Sequence, residues 1–285
     1  IAARADSVTL ASVAIDSVRG QITFASRSRG DLTFDAAGSR RAGTFVVGSH
    51  VAFDRTLDSL RLVVDSLGGL IDAHQWGLVA PATIVFDSIG THVDSVSAHS
   101  SAGGAILLRA DLPNALPVNV SMRADSVSLG DLSALAQLST PVTGTASGTV
   151  DISGPRTAPK MEIGARFQDV SFGTVAFPYF TLNVPYGARR LDTKMTVFRH
   201  DTAVMAFNGS WPLNLALVPV EHRMLEEPLK GHLAGDSLDL AVLETISPSF
   251  SRPSGTASVA LDLTGTWRHP LLSGRIRVRN GEMGL

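Results

Sequence analysis

The side chains able to do chemistry in this chain do not stand at catalytic spacings. Gly144-Thr145-Ala146-Ser147-Gly148 comes nearest to a nucleophile elbow. An elbow needs Gly-x-Ser-x-Gly, with the serine lifted on a strand-to-helix turn, and here the serine comes one place late. Neither a phosphate-cradling P-loop nor a Gly-x-Gly-x-x-Gly turn occurs. The eight histidines (His50, His74, His92, His99, His200, His222, His232 and His269) are scattered. His222 and Glu226 stand four apart, a spacing that shares a helix face in metal sites. Pro219 and Pro228 leave too short a segment between them for such a helix, so a solvated loop is expected there. With no cysteine, disulfides and thiolate metal sites are excluded. Paired carboxylates for glycoside hydrolysis would meet only in space. Trp76, Trp211 and Trp267 have the ring faces to stack on sugars, although a role as groove plugs or core caps is the plainer expectation. No catalytic residue, metal or cofactor is assigned, and the chain is read as a non-enzyme.

Aspartate does recur in a fixed setting. Asp-Ser followed by Val, Leu or Ile occurs at Asp6, Asp16, Asp58, Asp65, Asp87, Asp94, Asp125 and Asp236. Calcium ligation by repeated aspartate would need the Gly-Gly-x-Gly-x-Asp nonapeptide, which is missing. The structural reading is a strand start: the carboxylate bonds nearby backbone N–H groups and the next apolar residue turns inward.

The elements that carry these residues repeat. Ala124-Asp125-Ser126-Val127-Ser128-Leu129, Gly144-Thr145-Ala146-Ser147, Asp151, Gly154 and Pro159 return as Asp236-Ser237, Leu240, Gly255-Thr256-Ala257-Ser258, Asp262, Gly265 and Pro270, at a constant offset of 111 (236 − 125). A looser third copy starts at Arg4-Ala5-Asp6-Ser7-Val8, which matches Arg123-Ala124-Asp125-Ser126-Val127. The repeat divides the chain into residues 1–122, 123–233 and 234–285. Between the repeated phrases lie short segments that alternate apolar and polar residues, the period of a half-buried strand. Helix is expected only as single turns, at Asp131–Leu135 and its echo Leu243–Ile246. Residues 218–229 form an insertion, read as a long hairpin or loop.

The net charge of −2 argues against a nucleic-acid footprint, and no apolar run is long enough to span a membrane. The first residue is Ile1 and the last stretch is strand-like, so the chain is expected to be an excerpt of a longer protein. About 15–20 strands are too many for a flat open sheet, and helices to cover an apolar face are lacking. The fold expected is therefore all-β: an elongated, curled antiparallel sheet, a β-taco or groove built from repeats. Its candidate lining is Val118, Val120 and Met122; Val150 and Ile152; Phe180 and Leu182; Met205 and Phe207; Leu213, Leu215 and Leu217; and Val259, Leu261 and Leu263. A long apolar strip of this kind marks a binding surface, and its complement is long, apolar and thin, an acyl chain.

The order Gly144-Thr145-Ala146-Ser147, Val150-Asp151-Ile152-Ser153-Gly154-Pro155, Pro159, with its return as Leu261-Asp262-Leu263-Thr264-Gly265, Pro270, Ser273-Gly274 and Arg279-Asn280-Gly281, and with Gly209-Ser210-Trp211-Pro212-Leu213, resembles the TamB (translocation and assembly module) family of the AsmA-like superfamily. The likeness covers residues 120–285 well and 1–120 loosely. It implies a periplasm-spanning protein tethered to the inner membrane by a segment outside this chain. It also implies a carboxy-terminal part, likewise outside it, that meets an outer-membrane β-barrel partner. The function it implies is phospholipid passage between the two membranes. Two other readings stay open: a scaffold for outer-membrane protein assembly that receives client strands by β-augmentation, and a carbohydrate-binding or carbohydrate-active β-sandwich or β-helix.

Overall fold

The computed structural model describes residues 1–10, 13–40, 43–138, 142–172, 175–199, 201–239 and 251–284. Alternating sequence becomes strand throughout. The described residues form eighteen antiparallel strands and one short helix, the all-β fold expected. The contacts divide the chain into two units, Ile1–Ser147 and Gly148–Leu285.

The first unit is a meander of β1 (Ala2–Leu10), β2 (Val13–Phe24), β3 (Arg29–Arg40), β4 (Gly43–Arg55) and β5 (Ser59–Ile71), each paired with the next. The long β5 then pairs at one end with β6 (His74–Leu78) and at the other with β7 (Ala82–Asp87), and both of these pair with β8 (Gly90–Ser100). β9 (Ala105–Pro113) and β10 (Val118–Ser128) follow, then helix α1 (Leu129–Ala136). β11 (Val142–Gly154) runs through the boundary between the units. The second unit is a plain meander of β12 (Lys160–Phe172), β13 (Val175–Gly187), β14 (Arg190–Arg199), β15 (Thr202–Pro212), β16 (Lys230–Asp239), β17 (Ser251–Gly265) and β18 (Pro270–Gly284).

The sheet of the first unit is curled, and α1 measures the curl. From β10 to β2, by way of β9, β8, β6, β5, β4 and β3, is seven strand spacings, about 33–34 Å if laid flat. Yet α1, which leaves the end of β10, rises only about 12 Å over its eight residues, and the Gln137 side chain at its C-terminal end bonds both backbone groups of Ala14 on β2, at 2.8 and 2.6 Å. The strands between must bow for this chord to close. α1 has two turns where a single turn is expected from sequence. Ser128 caps its first turn, and Gln137 ends it in the left-handed region. The echo at Leu243–Ile246 lies outside the described residues.

The bending has a residue-level cause, and it corrects the reading of Asp-Ser as a strand start. That reading holds at Asp58, directly ahead of β5, whereas Asp87 ends β7 and accepts from the N–H groups of Ile89 and Gly90. The other six pairs lie inside strands, and at three of them the register against a neighbouring strand shifts by one. On β5 the inward residues are Leu60, Leu62 and Val64, then Leu67, Gly69 and Ile71, with Asp65-Ser66 between, where the register against β4 shifts by one. The same one-residue shift occurs at Asp94-Ser95 on β8 and at Asp236-Ser237 on β16. On β1 and β10 the matched residues Ser7 and Ser126 have positive φ, 58° and 48°, and Asp16 lies opposite Ser7 on β2. A bulge bends its strand and raises its twist. Short polar side chains suit it because they bond locally and tolerate the left-handed region. Asp-Ser thus writes a bend into β5, β8 and β16. The glycines of the repeated phrase serve backbone geometry too: Gly144 and Gly255 have φ of 107° and 109°, and Gly154 and Gly265 have 95° and 86°.

Candidate apolar binding groove

Antiparallel register assembles the alternating residues into rows that cross the strands. In the second unit one row runs Phe167, Phe180, Val197, Met205, Gly235, Val259, Ile276 from β12 to β18. Its neighbour runs Ala165, Leu182, Met195, Phe207, Leu233, Leu261, Gly274 over the same seven strands. A third contains Gly209, Gly231, Leu263 and Leu272. In the first unit the longest row is Phe24, Gly30, Phe53, Leu62, Ile84, Val93, Ala110, Val120, with Leu108 and Met122 in the row beside it. Glycines in these rows lie under large neighbours. The Phe53 ring lies where a Cβ on Gly30 would go, and the Trp211 ring covers Gly209, so the surface stays apolar where the side chain is missing.

The candidate strand residues fall on this face. Val118 is buried, and Val120, Met122, Val150, Ile152, Phe180, Leu182, Met205, Phe207, Val259, Leu261 and Leu263 are half-buried. The alternate residues Asn119, Asp151, Ser153, Asn183, Asn208, Asp262 and Thr264 are exposed. One cross-strand row of that opposite face reads Asn183, Lys194, Asn208, His232, Asp262, Ser273 and includes a His232–Asp262 contact of 2.8 Å. These rows of the second unit are therefore apolar on one side and polar on the other, whereas in the first unit the opposite face also carries the exposed pair Val46 and Leu70.

The apolar side is only partly covered. The accessible surface is 17235 Å², against roughly 14,100 Å² for two compact units of half this mass each. The covering elements sit at strand ends. In the first unit α1 lies over Phe45 and Ile71, beside Ile15, Val47 and Trp76. In the second unit residues 213–229 form a strap. Its backbone N–H groups at Leu213, Leu217 and Leu229 bond to the carbonyls of Arg189, Arg156 and Gly265, and Leu215 N–H bonds to the hydroxyl of Tyr186. Arg190–Glu227 and Arg268–Glu226 ion pairs tie it to neighbouring turns.

Leu213, Leu215 and Leu217 belong to this strap. The sequence places them on an alternating strand, but β15 ends at Pro212, and of the three only Leu213 retains a bridge, to Met224. Alternation alone does not make a ladder: with Pro212 closing β15 and the chain turning back onto Arg189 and Arg156, those backbone groups find partners at turns instead of on a strand.

The three tryptophans hold such covers in place. The Trp76 indole N–H donates to Asp131, that of Trp211 to Thr193, and that of Trp267 to the carbonyl of Pro212. The Trp211 ring lies 6.0 Å from Phe207 and 5.9 Å from Trp267. Ser147 accepts a hydrogen bond from the N–H of Ser126, a structural use of that serine. His222 is exposed beside Glu221, and Glu226 pairs with Arg268. Among the described residues no three or more His, Asp or Glu side chains gather to hold a metal ion, and no helix is long and apolar enough to cross a membrane.

Sequence reasoning did not name Phe167, Val184, Met195, Val197 or Leu233 as lining, although each stands in register with a named residue or on the same strand face. The signal was present as alternation; the pairing that makes them neighbours was not. In comparisons with protein families, curated proteins and solved structures, nothing matches this chain.

Proposed function

We propose that this chain is a segment of a bridge protein that conducts phospholipids between the inner and outer membranes along the apolar face of a β-groove. One observation carries the proposal: apolar rows cross seven strands of the second unit without a charged residue, and apart from buried Val197 and exposed Ile276 their side chains are half-buried. A continuous uncovered apolar strip lets an acyl chain slide at nearly constant solvation, because each position offers the same kind of contact as the last. The polar opposite face keeps the segment wetted on its outer side. The likeness to the TamB family adds the setting, a periplasmic body tethered to the inner membrane.

The test is lipid recovery. Purified wild-type chain is expected to carry phospholipid through native mass spectrometry. A Leu182→Asp, Leu261→Asp double variant puts two charges in one row and is expected to lose that lipid, with β content unchanged by circular dichroism. Wild-type protein that is free of phospholipid after extraction, and takes none up from vesicles, ends the proposal. Photo-crosslinks to outer-membrane protein strands, with no lipid, would favour the assembly scaffold.

A further inference from the structure

The second unit ends at β18 with a bare edge. β18 pairs with β17 along its length, and among the described residues no strand of the unit pairs with its other side. Every residue from Pro270 to Gly281 is exposed. A strand edge of this length presents a row of unmet N–H and C=O groups, which is a template for a further strand.

The repeat shows what such an edge takes. β18 corresponds to β12 at the offset of 111 (270 − 159): Pro270 matches Pro159, and Asn280, with φ 48°, matches Asp169, with φ 50°. β12 carries β13 on the edge that β18 leaves open, antiparallel, with Met161 opposite Tyr186 and Phe167 opposite Phe180. The effect of that cover is visible. Met161, Ala165 and Phe167 are half-buried, whereas their counterparts Leu272, Ile276 and Val278 are 68%, 60% and 52% exposed.

The outer face selects the kind of strand. Where β12 has Gly164, Arg166 and Gln168, β18 has Arg275, Arg277 and Arg279. They alternate along one side of the strand, about 6.6–6.8 Å apart, and no ion pair reaches them among the described residues. Side chains directly opposite across an antiparallel pair interact, so opposite charges stabilise and like charges destabilise. Two copies of β18 laid edge to edge would bring arginine against arginine. We propose that the free edge of β18 is a docking site for an antiparallel strand of a partner polypeptide that alternates apolar and acidic residues. Its apolar residues cover Leu272, Ile276 and Val278, and its carboxylates face the three arginines. The register of β12 on β13 sets their places: opposite Arg279, Arg277 and Arg275, where β13 has Tyr179, Thr181 and Asn183. The site is a backbone edge and an outer face, so it stands independently of lipid conduction.

Three labelled peptides of the β13 sequence, residues 175–187, are titrated with the full chain by fluorescence anisotropy. One is native, one carries Tyr179→Glu, Thr181→Glu and Asn183→Glu, and one carries lysine at the same places. The glutamate peptide is expected to bind about tenfold tighter than the native one, and the lysine peptide is expected to bind most weakly. An Arg275→Gln, Arg277→Gln, Arg279→Gln chain is expected to lose this ranking, with β content unchanged by circular dichroism. Bound glutamate peptide is expected to slow hydrogen exchange on β18 and not in the first unit. No binding, equal binding of the glutamate and lysine peptides, or protection placed elsewhere overturns the proposal. A wild-type chain that oligomerises through β18 overturns it too, since a second copy then fills the edge. Phosphatidylglycerol vesicles that bind the wild type and not the glutamine variant, while no peptide binds either, overturn it in favour of a membrane contact.

Discussion

Asp131 shows how a single buried carboxylate can organise a strand end. It is 1% exposed and receives the Trp76 indole, and its own N–H is capped by Ser128. Replacing it with alanine leaves the Trp76 N–H without its partner in a part-buried place and removes the contact to His74. An unmet donor of this kind costs about 1–3 kcal/mol. Asp131→Ala is therefore expected to lower the unfolding free energy of the first unit by about 2 kcal/mol, measured by urea titration of tryptophan fluorescence. Asp65, by contrast, is exposed and pairs with His50 at 3.1 Å. Its Ala variant is expected to shift stability by less than about 0.5 kcal/mol, because an exposed pair contributes little.

For the strands, what matters at Asp65 is the backbone position and not the carboxylate. The bulge moves the inward positions of β5 from even to odd numbers, so deleting Asp65 leaves every other partner on β4 in place and brings Leu60, Leu62, Val64, Leu67, Gly69 and Ile71 into one regular inward alternation, without the bend. Deletion of Asp65 is therefore expected to keep cooperative unfolding, as Asp65→Ala does; loss of a cooperative melting transition on deletion would refute the reading of Asp65 as the inserted residue of a bulge. The strap illustrates the converse. Leu213, Leu215 and Leu217 alternate as well as any strand in the chain. Their partners are the Tyr186 hydroxyl on β13 and the carbonyls of Arg189 and Arg156 at turns, and nothing local to 213–217 reveals them.

Over the whole chain, the uncovered apolar face has a thermodynamic signature. An unfolded chain of this mass exposes roughly 43,500 Å², so folding to 17235 Å² buries about 60% of it, where two compact units of about half the length bury about 68%. The urea m-value scales with surface exposed on unfolding. It is expected to fall about a tenth below that of two compact units of the same total length, and an m-value at the compact level would mean that the face is covered in solution.

The sequence by itself determined the all-β class, the repeat, the alternation that makes each strand two-faced, and the recurrence of Asp-Ser ahead of an apolar residue. All of these depend on neighbours within a few residues, because side-chain direction in a strand is set by parity and by whether a bulge intervenes. Only the tertiary structure decided that most of these pairs lie inside strands, with bulges at Asp65, Asp94 and Asp236, and that Asp58 alone stands at a strand start. It also decided that Phe167, Phe180 and Val197 form one row, that Leu213–Leu217 leave the ladder, and that α1 turns its leucines outward. Each of these depends on partners far along the chain, such as Ala14 for Gln137 at a separation of 123 residues. Those distances are closed by register and curvature, which no local pattern encodes.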